Sequence, residues 1–165
     1  ERTLLQYAAL LHDIGYHIAH NNHHRHSLYL IKNSEMPGFT ATEIGLMAAI
    51  VRYHRGSRPR KGGGRMRREH EDYFSLDRAE RAKLLKLAAI LQIADGLDRA
   101  HRQTVTDVTC RITRSKVKLS VACAGECDLE IWSAERKALW FTEVFQIGVQ
   151  ITRVIPETAA RSQPA

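Results

Sequence analysis

From Arg2 to about His101 the apolar residues recur three and four apart, and from Thr104 onward they alternate with polar ones. Helices bury a stripe and strands bury a face, so this switch divides the chain into a helical first part and a strand-containing second part. A single uniform architecture is excluded.

Within the first part, Leu4, Leu5, Ala8 and Leu11 set the period of a helix over residues 2–19. The polar run HNNHHRH, residues 20–26, interrupts it. Ser27 to Asn33 reads as a short second helix, closed by Pro37-Gly38. Thr40 with Glu43 has capping-box spacing and opens a third helix reaching about Arg55. After a basic loop, Ser75 is the expected N-cap of a long helix to about His101, with Leu84, Leu87, Ala88, Leu91 and Ala94 along one stripe.

In the second part, TVTDVTCRITRSKVKLSVAC predicts two antiparallel strands joined at Arg114-Ser115-Lys116. DLEIWSAERKALWFTEVF has helical spacing, with Trp132, Leu139 and Val144 expected inside, as is Trp140. QIGVQITRV supplies a last strand. The expected organisation is a helical domain over residues 1–103, a small α+β (ββαβ) subdomain over 104–155, and a disordered tail over 156–165. The helical period is already running at Glu1, which suggests a piece of a longer protein.

The formal charge is +7 with nine histidines uncounted. Between Arg52 and Arg68 lie eight Lys or Arg residues and no acid. Such a run is either a solvated loop or an anion trap, since guanidinium groups grip phosphate bidentately. Its candidate phosphate contacts are Arg52, Arg55, Arg58, Arg60, Lys61 and Arg65, with Arg25 from the preceding polar run. No stretch approaches the roughly 18 apolar residues of a membrane span, and no signal-peptide pattern opens the chain. A cytoplasmic chain without a membrane partner is expected. Cys110, Cys123 and Cys127 lack zinc-site spacing and are expected to be reduced structural thiols.

The second chemical feature is LLHDIGY, residues 10–16, where His12 and Asp13 interrupt an apolar run. A buried carboxylate needs a partner. His26, His54 and Asp95 fall on other helical elements, and imidazole and carboxylate together suit transition metals. His12, Asp13, His26, His54 and Asp95 are therefore the candidate metal ligands, converging as in a helical bundle. A His-Asp pair joined only by a hydrogen bond is the alternative. His17, His20, His23 and His24 fall in or beside the polar loop, where solvent or phosphate contact is expected. His70 and His101 have no motif around them.

LHDIG, then His26 in HRHSLYLI, then RYHR with His54 and ADGLD with Asp95 and Asp98, resembles the motif series of HD-superfamily metal-dependent phosphohydrolases. With HSLYLIKNS, PGF and AERKALWFTEVF, the chain from about residue 3 to 150 closely resembles the C-terminal half of the Ppx/GppA family of exopolyphosphatases and guanosine pentaphosphate phosphohydrolases. That resemblance implies a mainly α, HD-domain-like bundle followed by the small α+β piece. It implies that hydrolysis of the terminal phosphate belongs to N-terminal phosphatase domains of the parent chain, using Mg²⁺ or Mn²⁺. This segment then contributes binding of polyphosphate or guanosine pentaphosphate, and dimerisation. A divalent ion, a transition metal included, is the expected cofactor at the HD-like site. Tyr16 stands where active HD enzymes often carry lysine, and their upstream histidine has no counterpart here. Two other functions are weighed: an autonomous HD-type metal-dependent hydrolase acting on a nucleotide, and a non-catalytic anion-binding scaffold. Nucleic acid is not the expected partner, because no aromatic-interleaved RNA motif is present.

Overall fold

The computed structural model describes residues 1–56, 58, 59 and 64–154. It is mainly helical, with a small mixed sheet after the helices. The expected tail, residues 156–165, lies outside the described residues.

Helix α1 runs Arg2–Leu11 and buries Leu4 and Ala8. It stops at His12 rather than continuing to residue 19, and a short 3-10 turn, Ile14–His17, follows. The reason is Gly15, where this turn packs against the next helix. Helix α2, His23–Lys32, begins four residues before the expected start at Ser27 and is entered through Asn22 at φ +58°. Asparagine tolerates that left-handed conformation better than most residues. Helix α3, Ala41–Arg52, has the expected capping box: the Glu43 amide donates to Thr40 Oγ1 at 3.3 Å, and the Thr40 amide donates to Glu43 Oε2 at 2.8 Å. These bonds satisfy two otherwise orphaned donors and hold the Glu43 carboxyl below its usual range. Its second half, Leu46 to Arg52, is buried throughout, with α1 and α2 packed on it.

Two short helices the apolar period does not announce, α4 (Gly64–Glu69) and α5 (Glu71–Phe74), follow the basic run. Arginine and methionine have good helix propensity, so a charged segment without apolar spacing still coils. The long helix α6 is Arg78–Leu97. Its start is capped by Asp77, not Ser75: Asp77 Oδ1 accepts from the Glu80 amide at 2.8 Å, and Glu80 Oε2 accepts from the Asp77 amide at 3.1 Å. Of the expected stripe, Leu84, Leu87, Ala88 and Leu91 are buried and Ala94 is exposed.

The chain divides into two compact units, Glu1–Leu91 and Gln92 onward, so the division falls inside α6, before the texture change at residue 104. The last turns of α6 belong to the second unit through side chains. Lys137 pairs with Asp95, and Glu130 Oε1 accepts from the Ala100 amide at 3.3 Å.

Strand β1 (Val105–Ile112) pairs antiparallel with β2 (Lys116–Cys123), setting Val108 opposite Val121. Helix α7 (Asp128–Phe145) then returns the chain to β3 (Gly148–Val154), parallel to β2, with Leu119 opposite Ile151. A parallel neighbour requires such a crossover. The order is β1-β2-β3. The buried face of α7 carries Ala134, Ala138, Trp140 and Phe141. Trp132 and Leu139, expected inside, are 54% and 65% exposed, and Val144 is half-buried. Helical spacing fixes a period but not which stripe is buried: α7 buries Trp140 and Phe141 with its alanines and leaves Trp132 and Leu139 outside. Cys123 and Cys127 form a disulfide across Cα atoms 6.3 Å apart, against the expectation of free thiols. The turn from β2 into α7 folds these two positions together; Cys110 is free and exposed.

Candidate functional site

Gly15 organises the site. Its amide donates to Ser27 Oγ at 2.9 Å, and Ser27 Oγ donates to the His12 carbonyl at 2.7 Å, so the turn after α1 is tied to the first turns of α2. A Cβ at residue 15 would fall 2.1 Å from the His23 carbonyl oxygen, a separation only glycine permits. This contact sets His12 and Asp13 beside the start of α2 and the end of α3.

Three imidazoles surround the Asp13 carboxylate. His12 Nε2 is 3.4 Å from Oδ2; His23 Nε2 and His54 Nε2 are 3.3 and 3.7 Å from Oδ1. Ligand atoms of His12, Asp13 and His54 lie within 4.8 Å of one another. His23 Nε2 is 3.2 Å from His54 Nε2. His54 is fully buried and His23 nearly so, while His12 and Asp13 sit at the more open edge.

The far ring nitrogens decide what these imidazoles offer. Nδ1 of His12, His23 and His54 lies 2.7, 3.2 and 2.6 Å from the carbonyl oxygens of Ala9, His20 and Val51. A carbonyl only accepts, so in each ring Nδ1 is the donor and Nε2 is the nitrogen turned toward Asp13. Two Nε2 atoms 3.2 Å apart beside a carboxylate are held by positive charge, either a proton on one of the rings or a metal ion among them. Ligands of one tetrahedral transition ion stand about 3.4 Å apart at bond lengths of about 2.1 Å, so the donor set fits such an ion in spacing and in kind. The backbone bonds at Nδ1 are the orienting contacts that metal-binding histidines carry.

The candidate ligands are distributed as follows. His12, Asp13 and His54 come together. His26 is half-buried one turn along α2, and His23 is the α2 residue that reaches Asp13 and His54. Asp95 is in the second unit, paired with Lys137, and Asp98 Oδ2 faces His101 Nδ1 at 3.9 Å. Tyr16 stacks on His23 with ring centroids 4.2 Å apart, walling one side of the cluster.

The cationic residues divide in the same way. Arg25 is exposed near the start of α2, Arg55 and Arg58 are half-buried, and Arg65 pairs with Glu69 at 3.2 Å. Arg60 and Lys61 lie outside the described residues. Arg52, the last residue of α3, is 3% exposed. Its guanidinium sits over the Tyr53 ring at 5.4 Å, and burial, then Arg25, push its pKa below the usual arginine value. His24, expected in a solvated loop, is buried; burial and then Arg52 lower its pKa to about 4. His70 is also fully buried, with Nδ1 2.9 Å from the Tyr53 hydroxyl.

The helical unit thus carries the histidine–carboxylate cluster together with the described part of the basic run. The chain belongs to the Ppx/GppA phosphatase family, matching its domain III over residues 1–138. It is 44% identical over 52 residues to a guanosine-5'-triphosphate,3'-diphosphate pyrophosphatase of Pseudoalteromonas translucida, a stretch covering 32% of this chain and 10% of that protein. A protein of the same name from Aeromonas hydrophila is 44% identical over 50 residues, 30% of this chain and 10% of the relative. The matched stretch thus spans about a tenth of these relatives. Among the described residues no helix is long and apolar enough to cross a membrane.

Proposed function

We propose that this domain binds the polyanionic substrate, polyphosphate or guanosine pentaphosphate, of a cytoplasmic phosphohydrolase whose N-terminal domains carry out hydrolysis. The observation that carries this reading is the run Arg52–Arg68, eight cations without an acid, next to Arg25. Binding through such residues releases counterions, so affinity falls steeply with salt. The test is polyphosphate affinity between low and physiological salt. Affinity indifferent to salt, or unchanged when Arg58 and Arg65 become alanine, removes the proposal. Dimerisation is its second part: Trp132 and Leu139 of α7 are apolar area available for contact with a second copy. Sedimentation velocity measures this, and a monomer at every concentration refutes it.

A second reading has its own support. The three imidazoles with Nδ1 held by carbonyls favour a divalent transition ion bound by His12, Asp13, His23 and His54. Bound there, the ion supplies Lewis acidity toward a phosphoryl oxygen. Asp13 and the buried Nε2 atoms provide charge and orientation, and Tyr16 shields His23 from water. Metal analysis of the purified chain tests the ligand set, and phosphate release from nucleotides with added Mn²⁺ tests autonomous hydrolysis. Less than one ion per chain, with loading unaffected by Asp13→Asn, removes the metal reading.

A further inference from the structure

Among the described residues, Arg52 is a buried cation with no carboxylate in ion-pair reach. It is 3% exposed, and its Nη1 is buried without a hydrogen-bond partner. The two acids close enough to act on it are engaged elsewhere: Asp72 with Lys32 at 3.2 Å and Glu69 with Arg65 at 3.2 Å. A buried charge left this way is destabilising; Arg25 adds to it, and Arg55 acts together with both on the neighbouring His24.

The surroundings are built to the same purpose. His70 Nε2 is likewise buried without a hydrogen-bond partner. The tautomer in which Tyr53 donates to Nδ1 puts a proton on that Nε2, a second buried donor beside Arg52. Gly56 adopts φ +85°, and a Cβ there would fall 2.9 Å from His24 Nε2, so the His24 ring packs directly against the glycine backbone just past the end of α3. Orphaned donors and positive charge occur together, and an acceptor-rich anion satisfies both.

We propose that Arg52, with Arg25 and Arg55, forms a subsite for one phosphate group at the start of α2 and the end of α3. It deepens the polyanion reading, on which it rests, by assigning a single buried anchor where the basic run gives only diffuse attraction. The shared chemistry is a tetrahedral phosphate, free or at the end of a chain.

The test compares the 165-residue chain with Arg52→Met, Arg52→Lys and Arg58→Ala variants. Thermal unfolding and calorimetric titration are run with orthophosphate, tripolyphosphate and long-chain polyphosphate, at ionic strength matched with sodium chloride. Orthophosphate is expected to raise the melting temperature of the parent chain by mass action. Arg52→Met is expected to melt higher than the parent without phosphate, because an uncompensated charge is gone, and to lose the phosphate response. Arg52→Lys, which keeps charge but not the bidentate fork, should bind about tenfold more weakly. Arg52→Met that melts lower or fails to fold makes Arg52 structural and overturns the subsite, as does Arg52→Lys binding orthophosphate as the parent does. Tripolyphosphate held through Arg58 but not Arg52 overturns the subsite and leaves the polyanion reading standing. Orthophosphate held through Arg52, with no gain on lengthening to polyphosphate, keeps the subsite and removes that reading.

Discussion

Gly15→Ala tests whether the turn after α1 is pinned by close approach. The new methyl would meet the His23 carbonyl oxygen at 2.1 Å, the Ser27 amide nitrogen at 2.6 Å and Ser27 Oγ at 2.8 Å. Two of these are backbone atoms of a packed helix and cannot swing away, so the turn must lift off α2. That breaks the Gly15–Ser27 and Ser27–His12 hydrogen bonds, about 1 kcal/mol each, and adds about 1–3 kcal/mol of overpacking. Alanine returns about 0.4–1 kcal/mol through the unfolded chain, leaving a net loss of about 2–4 kcal/mol. Urea unfolding measures it as a lower midpoint at unchanged slope. Gly45→Ala is the control: it lies inside α3 with nothing near its absent Cβ, so the same chemical change should stabilise by about 0.5–1 kcal/mol. Equal effects at the two positions, or a loss below about 1 kcal/mol at Gly15, would refute the reasoning.

Thr40→Ala removes the side-chain half of the α3 capping box and should cost about 1 kcal/mol in urea unfolding, with no change in phosphate affinity. Reduction of Cys123–Cys127 releases a short loop and should lower stability by about 2 kcal/mol; thiol titration of the unfolded chain should count one free cysteine before reduction and three after. Three before reduction would rule out the bridge. His24 and His70 have pKa values depressed by burial and then by Arg52, His24 to about 4. Both are neutral when folded and charge on unfolding at acid pH, so their contribution to stability is complete above about 6.5 and is lost as pH falls toward 4. Melting temperatures between pH 7.5 and 4.5 check this, and His24→Gln should flatten the fall.

Element type was legible in the sequence because period and chemistry agree. The Thr40–Glu43 box, the strand pair around residues 114–116 and the helix at 128–145 all take the expected form. Element ends were less legible, because tertiary contact sets them. Residues 2–19 keep a helical period, yet the helix stops at Leu11 since Gly15 must approach α2. Ser75 and Asp77 are both cap residues by type, and only Asp77 has a glutamate three positions on to return the bond. Trp132 shows the limit of hydrophobicity as a guide: the face of α7 that packs is the one with Ala134, Ala138, Trp140 and Phe141, and Arg136 covers the exposed indole at 4.9 Å.

Which α2 histidine reaches Asp13 turned on one such boundary. With α2 starting at Ser27, His23 belongs to a polar loop and His26 is the first histidine available to Asp13. With α2 starting at His23, the helix's first residue points at the turn that carries Asp13, and His26, three positions later, is rotated about 60° away from it at 3.6 residues per turn. Asn22 was the readable signal, since asparagine is favoured both at helix starts and in the left-handed conformation found there. The same shift gives Tyr16 a place: it stacks on His23, a contact no loop residue would have offered. What sequence spacing does not contain is the orientation of each ring. That comes from Ala9, His20 and Val51, whose carbonyls accept from each Nδ1 and so turn the three Nε2 atoms toward one carboxylate.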